Sequence, residues 1–99
     1  MQLTILKEDL DNALMAHTAT YENTCRICVV AQALLRVTGR HWHVSYRNAW
    51  SLDGDTPLVG DLGQPTLEIP ESLKVQVMFP FDSDGIPDIG DTYELRECE

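Results

Sequence analysis

Basic residues are scarce in this 99-residue chain, which has only seven Lys and Arg residues against sixteen Asp and Glu residues. The formal net charge is therefore −9 at pH 7. Binding to nucleic acid relies on a surplus of Lys and Arg that neutralises phosphates, so the composition argues against direct contact with nucleic acid. The same shortage disfavours anionic membrane surfaces. The kind of partner that this charge favours is a basic protein surface.

The sequence also lacks a long apolar run and an even set of cysteines. Its longest apolar stretch covers residues 27–35 and is interrupted by Gln32, far short of the roughly 20 residues that cross a bilayer. The first ten residues lack the pattern of a signal peptide, because no basic segment precedes an apolar one. Three cysteines argue against a disulfide framework and for a reducing compartment. We therefore expect a cytoplasmic protein.

The length indicates one domain covering residues 1–99, with no room for a second core. A chain of this size buries only about 60–65 % of the surface that it exposes when unfolded, so its stability margin is modest. Homodimerisation would widen that margin. The sequence leaves the oligomeric state open.

Hydrophobic periodicity predicts helices in the first part of the chain. A short strand is expected at residues 3–5, followed by a helix at residues 7–16 whose buried stripe is Leu10, Leu14 and Met15. A second helix is expected from Asn23 or Thr24 to about Thr38, ending at Gly39. The second helix is apolar almost all round, so we expect it to be the central core helix.

After Gly39 the hydrophobic period changes from 3.6 to 2, which predicts a strand at residues 41–47 with Trp42, Val44 and Tyr46 on its buried face. Further along, we expect an irregular link, a short strand and a closing strand, at residues 53–66, 66–69 and 92–96. Residues 71–79 fit either a strand or a helix, and Pro80 limits both. The predicted fold is α+β, a small single domain with a central apolar helix packed on a short antiparallel sheet.

The charge is concentrated in the second half of the chain. Residues 1–50 hold four acids against five bases, a net charge of +1, whereas residues 51–99 hold twelve acids against two bases, a net charge of −10. The clustered acids are therefore candidate contacts for a basic partner: Asp82, Asp84, Asp88 and Asp91 first, then Asp53, Asp55 and Asp61. Trp42, Tyr46 and Trp50 are candidate exposed anchors, with core packing as the alternative for Trp42 and Tyr46. The acidity has an alternative explanation too, which is solubility alone.

The cysteines and histidines of the sequence suggest a second hypothesis, a zinc site or a nucleophilic cysteine. Cys25 and Cys28 are followed after twelve residues by His41 and His43. The first three positions match the spacing of a Cys2His2 zinc site, and a cysteine at a helix N-terminus near histidines is also a candidate nucleophile. However, a His-x-His gap is shorter than usual for zinc, and Cys28 lies in an apolar run, where free cysteine behaves as a small hydrophobe. We therefore expect no metal, no other cofactor and no enzymatic activity.

The segment NTCRICVVAQAL at residues 23–34 resembles a helix start found in small phage-encoded proteins, in which a cysteine opens an apolar helix rich in alanine and leucine. The tail is similar as well, with Ile69-Pro70, Phe81-Asp82 and Tyr93-Glu94-Leu95. The resemblance implies a compact α+β domain in which residues 71–79 are helical. It also suggests a phage accessory protein in the host cytoplasm. The acidic half adds a narrower hypothesis, in which the protein imitates phosphate charge and inhibits a host nucleic-acid-handling or defence complex, in the manner of an anti-CRISPR protein.

We predict that the purified protein holds no stoichiometric zinc, because the short His-x-His gap and the apolar setting of Cys28 oppose closure of a four-coordinate site. Metal analysis of the chain by mass spectrometry checks this. One equivalent of zinc per chain, lost together with folding when Cys25 or His43 is substituted, would contradict the prediction.

Overall fold

A computed structural model of the protein contains both helices and antiparallel strands. The structure describes residues 1–19, 28–52, 65–83 and 85–98. The α+β class is therefore confirmed. The first elements are β1 (Gln2–Thr4), α1 (Lys7–Ala19), α2 (Val29–Thr38), β2 (His41–Val44), β3 (Asn48–Leu52) and β4 (Leu67–Glu68). Then follow a composite helix, made of the α-helical turns Glu71–Leu73 and Phe79–Asp82 joined by π-helical Lys74–Met78, and the strands β5 (Thr92–Glu94) and β6 (Arg96–Glu97). No helix in these ranges combines the length and apolar character needed to cross a membrane.

Two antiparallel sheets share the C-terminal segment of the chain. One sheet pairs β1 with β5, and the other has the strand order β2-β3-β4-β6. Leu95 lies between β5 and β6, is fully buried, and donates its backbone N–H to the carbonyl of Met1 at 2.7 Å. The predicted closing strand therefore exists, but it serves both sheets instead of one.

Helix α2 supplies much of the core, as its composition predicts. Five of its side chains are buried, namely Val29, Val30, Ala31, Ala33 and Leu34, and they join apolar side chains of both sheets and the composite helix. The helix ends as expected, because Gly39 adopts the left-handed conformation (φ 74°) and donates its N–H to the carbonyl of Leu35 at 2.8 Å. Its expected start is wrong: Cys28 has an extended backbone, so the helix begins at Val29.

The buried stripe predicted for α1 is also wrong. Leu14 and Met15 are exposed and Leu10 is only partly buried, whereas Asp9 and Ala13 are fully buried. Asp9 and Ala13 are four residues apart and so share one face of the helix. A carboxylate can occupy that face only where its charge is paired and hydrogen-bonded, and Arg36 of the neighbouring α2 meets this need.

The Asp9 carboxylate accepts hydrogen bonds from three donors. Arg36 Nε donates to Oδ1 at 3.0 Å and Arg36 Nη2 donates to Oδ2 at 3.1 Å, while the backbone N–H of Leu6 donates to Oδ2 at 2.9 Å. Arg36 Nη2 also donates to the carbonyl of Thr4 at 2.8 Å. The hydrogen bond to Asp9 is the main cause of a raised pKa of the Arg36 guanidinium, against an opposing effect of burial. One ion pair thus joins β1, the start of α1 and the last turn of α2.

A hairpin replaces the long strand expected at residues 41–47. Strand β2 ends at Val44, and the chain turns where the N–H of Ser45 donates to the carbonyl of Asn48 at 2.8 Å and Ser45 Oγ accepts the N–H of Asn48 at 3.2 Å. Short polar side chains that bond their own backbone favour such turns. Tyr46, expected on the buried face of a strand, therefore lies on the turn and is 43 % exposed. Strand β3 follows, which the sequence pattern did not indicate.

The composite helix resolves the ambiguity of residues 71–79 in favour of helix. Pro80 lacks an N–H, so the carbonyl of Gln76, four residues earlier, cannot receive the usual helical hydrogen bond from it. That carbonyl instead accepts the N–H of Asp88 at 2.9 Å. The backbone widens to a π-helix over the five residues Lys74–Met78, just before Pro80. A short π-helical segment within an α-helix is the form in which this rare helix mostly occurs.

We predict that Arg36→Gln lowers the free energy of unfolding by about 3 kcal/mol, because it leaves the buried Asp9 carboxylate without a counter-charge. Chemical denaturation measures this. Arg40→Gln is the matched control, since both arginines are exposed but the side-chain hydrogen bonds to Asp9 come from Arg36. A loss below about 1 kcal/mol for Arg36→Gln would indicate an ordinary surface ion pair instead.

Candidate partner-binding surface

A pocket of about 190 Å³ lies where the N-terminal end of α2, the end of β2 and the composite helix meet. Its lining residues are Cys28, Val29, Val30, Val44, Ser45, Tyr46, Val77, Met78, Phe81 and Asp82. The valines and Met78 are buried, whereas Tyr46 and Asp82 are exposed. The pocket therefore has an apolar floor and a polar rim.

The rim joins two parts of the chain that are distant in sequence. The Tyr46 hydroxyl on the β2–β3 turn donates a hydrogen bond to Asp82 Oδ2 at the end of the composite helix. The Tyr46 ring also packs against Phe79, with 5.1 Å between ring centroids and a tilt of 55°. These two contacts hold the turn against the composite helix and set the position of the pocket mouth.

Three apolar side chains are exposed on the β2–β3 turn and on the composite helix. Tyr46 is 43 % exposed, Phe79 is 44 % exposed, and Val75, about one helical turn before Phe79, is 54 % exposed. We call these three residues the apolar patch. Grouped apolar side chains on a surface, bordered by polar residues, are typical of sites that bind another molecule.

The first group of predicted acidic contacts is divided by the fold. Asp82 lies on the pocket rim, whereas Asp88 and Asp91 lie near the hydroxyl of Tyr93. Burial raises the pKa of Tyr93 above its ordinary value, and the negative charges of Asp91 and then Asp88 raise it further. The Tyr93 hydroxyl donates to Gln76 Oε1 at 2.9 Å. All three aspartates are exposed. The other predicted acids, Asp84, Asp53, Asp55 and Asp61, lie outside the described residues.

Trp42 was a candidate exposed anchor with core packing as the alternative, and the structure shows core packing. It is buried, and its indole N–H donates to Thr38 Oγ1 at 2.9 Å, so it belongs to the core. Trp50 is partly buried and packs edge-on against His43, with ring centroids 5.5 Å apart. His43 and Trp50 are directly paired across β2 and β3, and neighbouring residues of a strand point to opposite faces. The two tryptophans therefore do not form one surface cluster.

Two residues of the Cys/His alternative, Cys28 and His41, lie at opposite ends of α2. Cys28 precedes the first turn of α2, while His41 follows the end of that ten-residue helix, which is about 15 Å long. Ligands of one zinc ion must each lie about 2 Å from it, so these two residues cannot share a site in this fold. Within residues 1–19, 28–52, 65–83 and 85–98, no group of three or more His, Cys, Asp or Glu is placed to hold a metal. Cys25 lies outside these ranges.

The most informative residues of this surface are Tyr46 and Phe79. The sequence suggested Tyr46 only as a member of an aromatic cluster with Trp42 and Trp50, and Phe79 was not among the predicted contacts. The signals for them are indirect: the turn-forming Ser45 and Asn48 around Tyr46, and the proline that follows Phe79. Comparison with models of protein families, with curated proteins and with solved structures finds no match to this chain. The resemblance to phage proteins stays a prediction, and function is inferred from the surface itself.

We predict that replacing Asp88 and Asp91 together by Asn lowers the pKa of Tyr93, because two negative charges near its hydroxyl are removed. The pKa remains above 10.0, the ordinary value, because burial is the larger cause of the shift. An NMR titration of the assigned Tyr93 ring measures it, with Asp82→Asn as the control that leaves it unchanged.

The linked effect on stability has a defined sign. A raised folded pKa means that protonated Tyr93 contributes stability that is fully present below pH 10.0 and is lost as the pH rises through the folded value. In the variant with Asn at positions 88 and 91, the stability contributed by protonated Tyr93 should be lost at a lower pH than in the original chain, because the folded pKa of Tyr93 is lower. An unchanged Tyr93 titration would show that neither carboxylate acts on that hydroxyl.

Proposed function

We propose that this chain is a non-enzymatic interaction protein that binds a basic surface of another protein. The observation that carries the proposal is the exposed contact between Tyr46 and Phe79, which is bordered by the carboxylate of Asp82. Aromatic side chains held rigidly at a surface are frequent energetic centres of protein interfaces. An acidic border makes a cationic partner the favourable one.

The balance of charges supports the choice of partner. Among the described residues of the acidic half, Lys74 is already paired with Glu71 at 3.2 Å, and Arg96 is the other base. Asp82, Asp88 and Asp91 are exposed and face solvent. A partner with Lys and Arg at its contact would therefore be attracted over long range, and salt would weaken this attraction.

A narrower form of the proposal names the setting. A phage accessory protein in the host cytoplasm that blocks a nucleic-acid-handling or defence complex, as an anti-CRISPR protein does, would meet a surface evolved to bind phosphates. Exposed carboxylates such as Asp82, Asp88 and Asp91 would then stand in for phosphate charges. This form rests on the charge asymmetry and on the resemblance of residues 23–34, and it stays a prediction.

The test begins with an affinity pull-down from host lysate that identifies the partner, followed by kinetics with variants. We predict that Phe79→Ala weakens binding at least tenfold, as expected for an interface hot spot. Val75→Ala and Val37→Ala form a matched pair, since each truncates a half-exposed valine. Only Val75 lies in the apolar patch, and Val37 lies at the far end of α2 from the pocket. Val75→Ala should weaken binding and Val37→Ala should not.

The acidic contribution is tested separately. Changing Asp82, Asp88 and Asp91 to Asn should slow association several-fold at low salt with the fold intact, because charges at the edge of an interface mainly steer encounter. Binding that is indifferent to this change, to salt between about 50 and 500 mM and to Phe79→Ala would contradict the proposed function. The acidic half would then be a solvated surface only.

A further inference from the structure

We propose that the 190 Å³ pocket receives one bulky apolar side chain of the partner, supplied by a segment that places a Lys or Arg next to it. This inference rests on the proposed function and specifies what the partner presents. Tyr46 and Asp82 are the exposed residues of the pocket lining, and Tyr46 also belongs to the apolar patch, so the same segment can contact both the pocket and the patch.

The size of the pocket sets the size of its occupant. An apolar cavity of about 150 Å³ is large enough to bind benzene. The present pocket, at about 190 Å³, therefore has room for a side chain of the size of leucine or phenylalanine. Its floor is formed by Val30, Val77 and Met78, all buried, so an entering apolar group would be removed from water on several sides.

The polar groups in the lining are already engaged within the protein. Ser45 Oγ donates to the carbonyl of Asn48 and accepts the N–H of Asn48, both at 3.2 Å. The Tyr46 hydroxyl is engaged by Asp82. Since neither hydroxyl needs a hydrogen bond from a ligand, the interior of the pocket favours an apolar group over a polar one.

The charge at the mouth selects the flanking residue. Asp82 is the one acidic residue among the ten residues that line the pocket. A carboxylate has about four acceptor positions, of which the Tyr46 hydroxyl uses one. Because Asp82 is exposed, its carboxylate can also accept hydrogen bonds from an ammonium or guanidinium group of a partner. A carboxylate on the partner would be repelled at the same place.

The experiment uses three short peptides and the whole chain. Acetyl-Lys-Phe-Lys-amide carries the proposed features, acetyl-Lys-Ser-Lys-amide lacks the apolar group, and acetyl-Glu-Phe-Glu-amide reverses the charge. NMR of the labelled protein follows the methyl groups of Val30, Val77 and Met78 as each peptide is added. We expect the first peptide to shift these resonances in a saturable way, and the other two to bind at least several-fold more weakly.

Three variants locate the binding. Cys28→Phe places a ring at the pocket wall and should abolish the shifts, whereas Cys28→Ser keeps the side chain small and should leave them unchanged. Asp82→Asn should reduce the preference for the lysine peptide over the glutamate peptide to nearly equal binding. Circular dichroism and chemical denaturation establish that each variant is folded. If Cys28→Phe does not fold, Val77→Phe fills the same pocket from the composite helix.

The outcomes separate this inference from the proposed function. No shift at about 10 mM of the lysine peptide, or equal binding of the glutamate peptide, overturns the inference. Partner binding that is lost in Phe79→Ala but retained in the pocket-filling variant also overturns it, while the proposed function stands. A dimer seen by light scattering that the pocket-filling variant dissociates would show that a second copy of this chain is the occupant instead.

Discussion

A single buried carboxylate constrains the arrangement of the N-terminal half. Removing an ionised aspartate from water is costly unless its charge is matched and its oxygens are hydrogen-bonded. Asp9 meets that condition only where the last turn of α2, the end of β1 and the start of α1 come together, because its donors are Arg36 and the Leu6 N–H, and Arg36 also holds the Thr4 carbonyl. The orientation of α1 follows, since turning Leu14 and Met15 inward would move Asp9 away from Arg36. Because a buried ion pair adds little net stability, we expect this one to select one packing of α1 more than to stabilise the fold.

The composite helix has a comparable role in the other half. Pro80 has no N–H and so cannot donate a hydrogen bond to the carbonyl of Gln76. That carbonyl accepts the N–H of Asp88 instead. This bond draws the segment that follows the helix back along it and brings Asp88 and Asp91 near Tyr93. The same helix carries Phe79 and Asp82 to the turn at Tyr46. The features proposed for binding thus depend on how the chain accommodates one proline.

The acidic residues have one role in the proposed interaction, and the apolar patch and the pocket have another. Charges at a rim raise the rate of encounter and exclude partners of the wrong sign, whereas buried apolar contacts slow dissociation. Tyr46 contacts both Phe79 and Asp82, so an apolar contact and a negative charge lie next to each other on this surface. Cys28 and His41, by contrast, are kept apart by the length of α2.

Local patterns in the sequence were sufficient for the α+β class, for α2 as the core helix, for its end at Gly39 and for the division of charge between the two halves. Each of these depends on composition or on residues within a few positions of one another. The face of α1, the helical state of residues 71–79 and the exposure of Tyr46 were decided by contacts across the chain. Asp9 and Arg36 are 27 residues apart, and Tyr46 and Asp82 are 36 apart. Hydrophobic periodicity does not report such pairings, because a buried charge or an exposed aromatic ring is stabilised by a partner that only folding supplies.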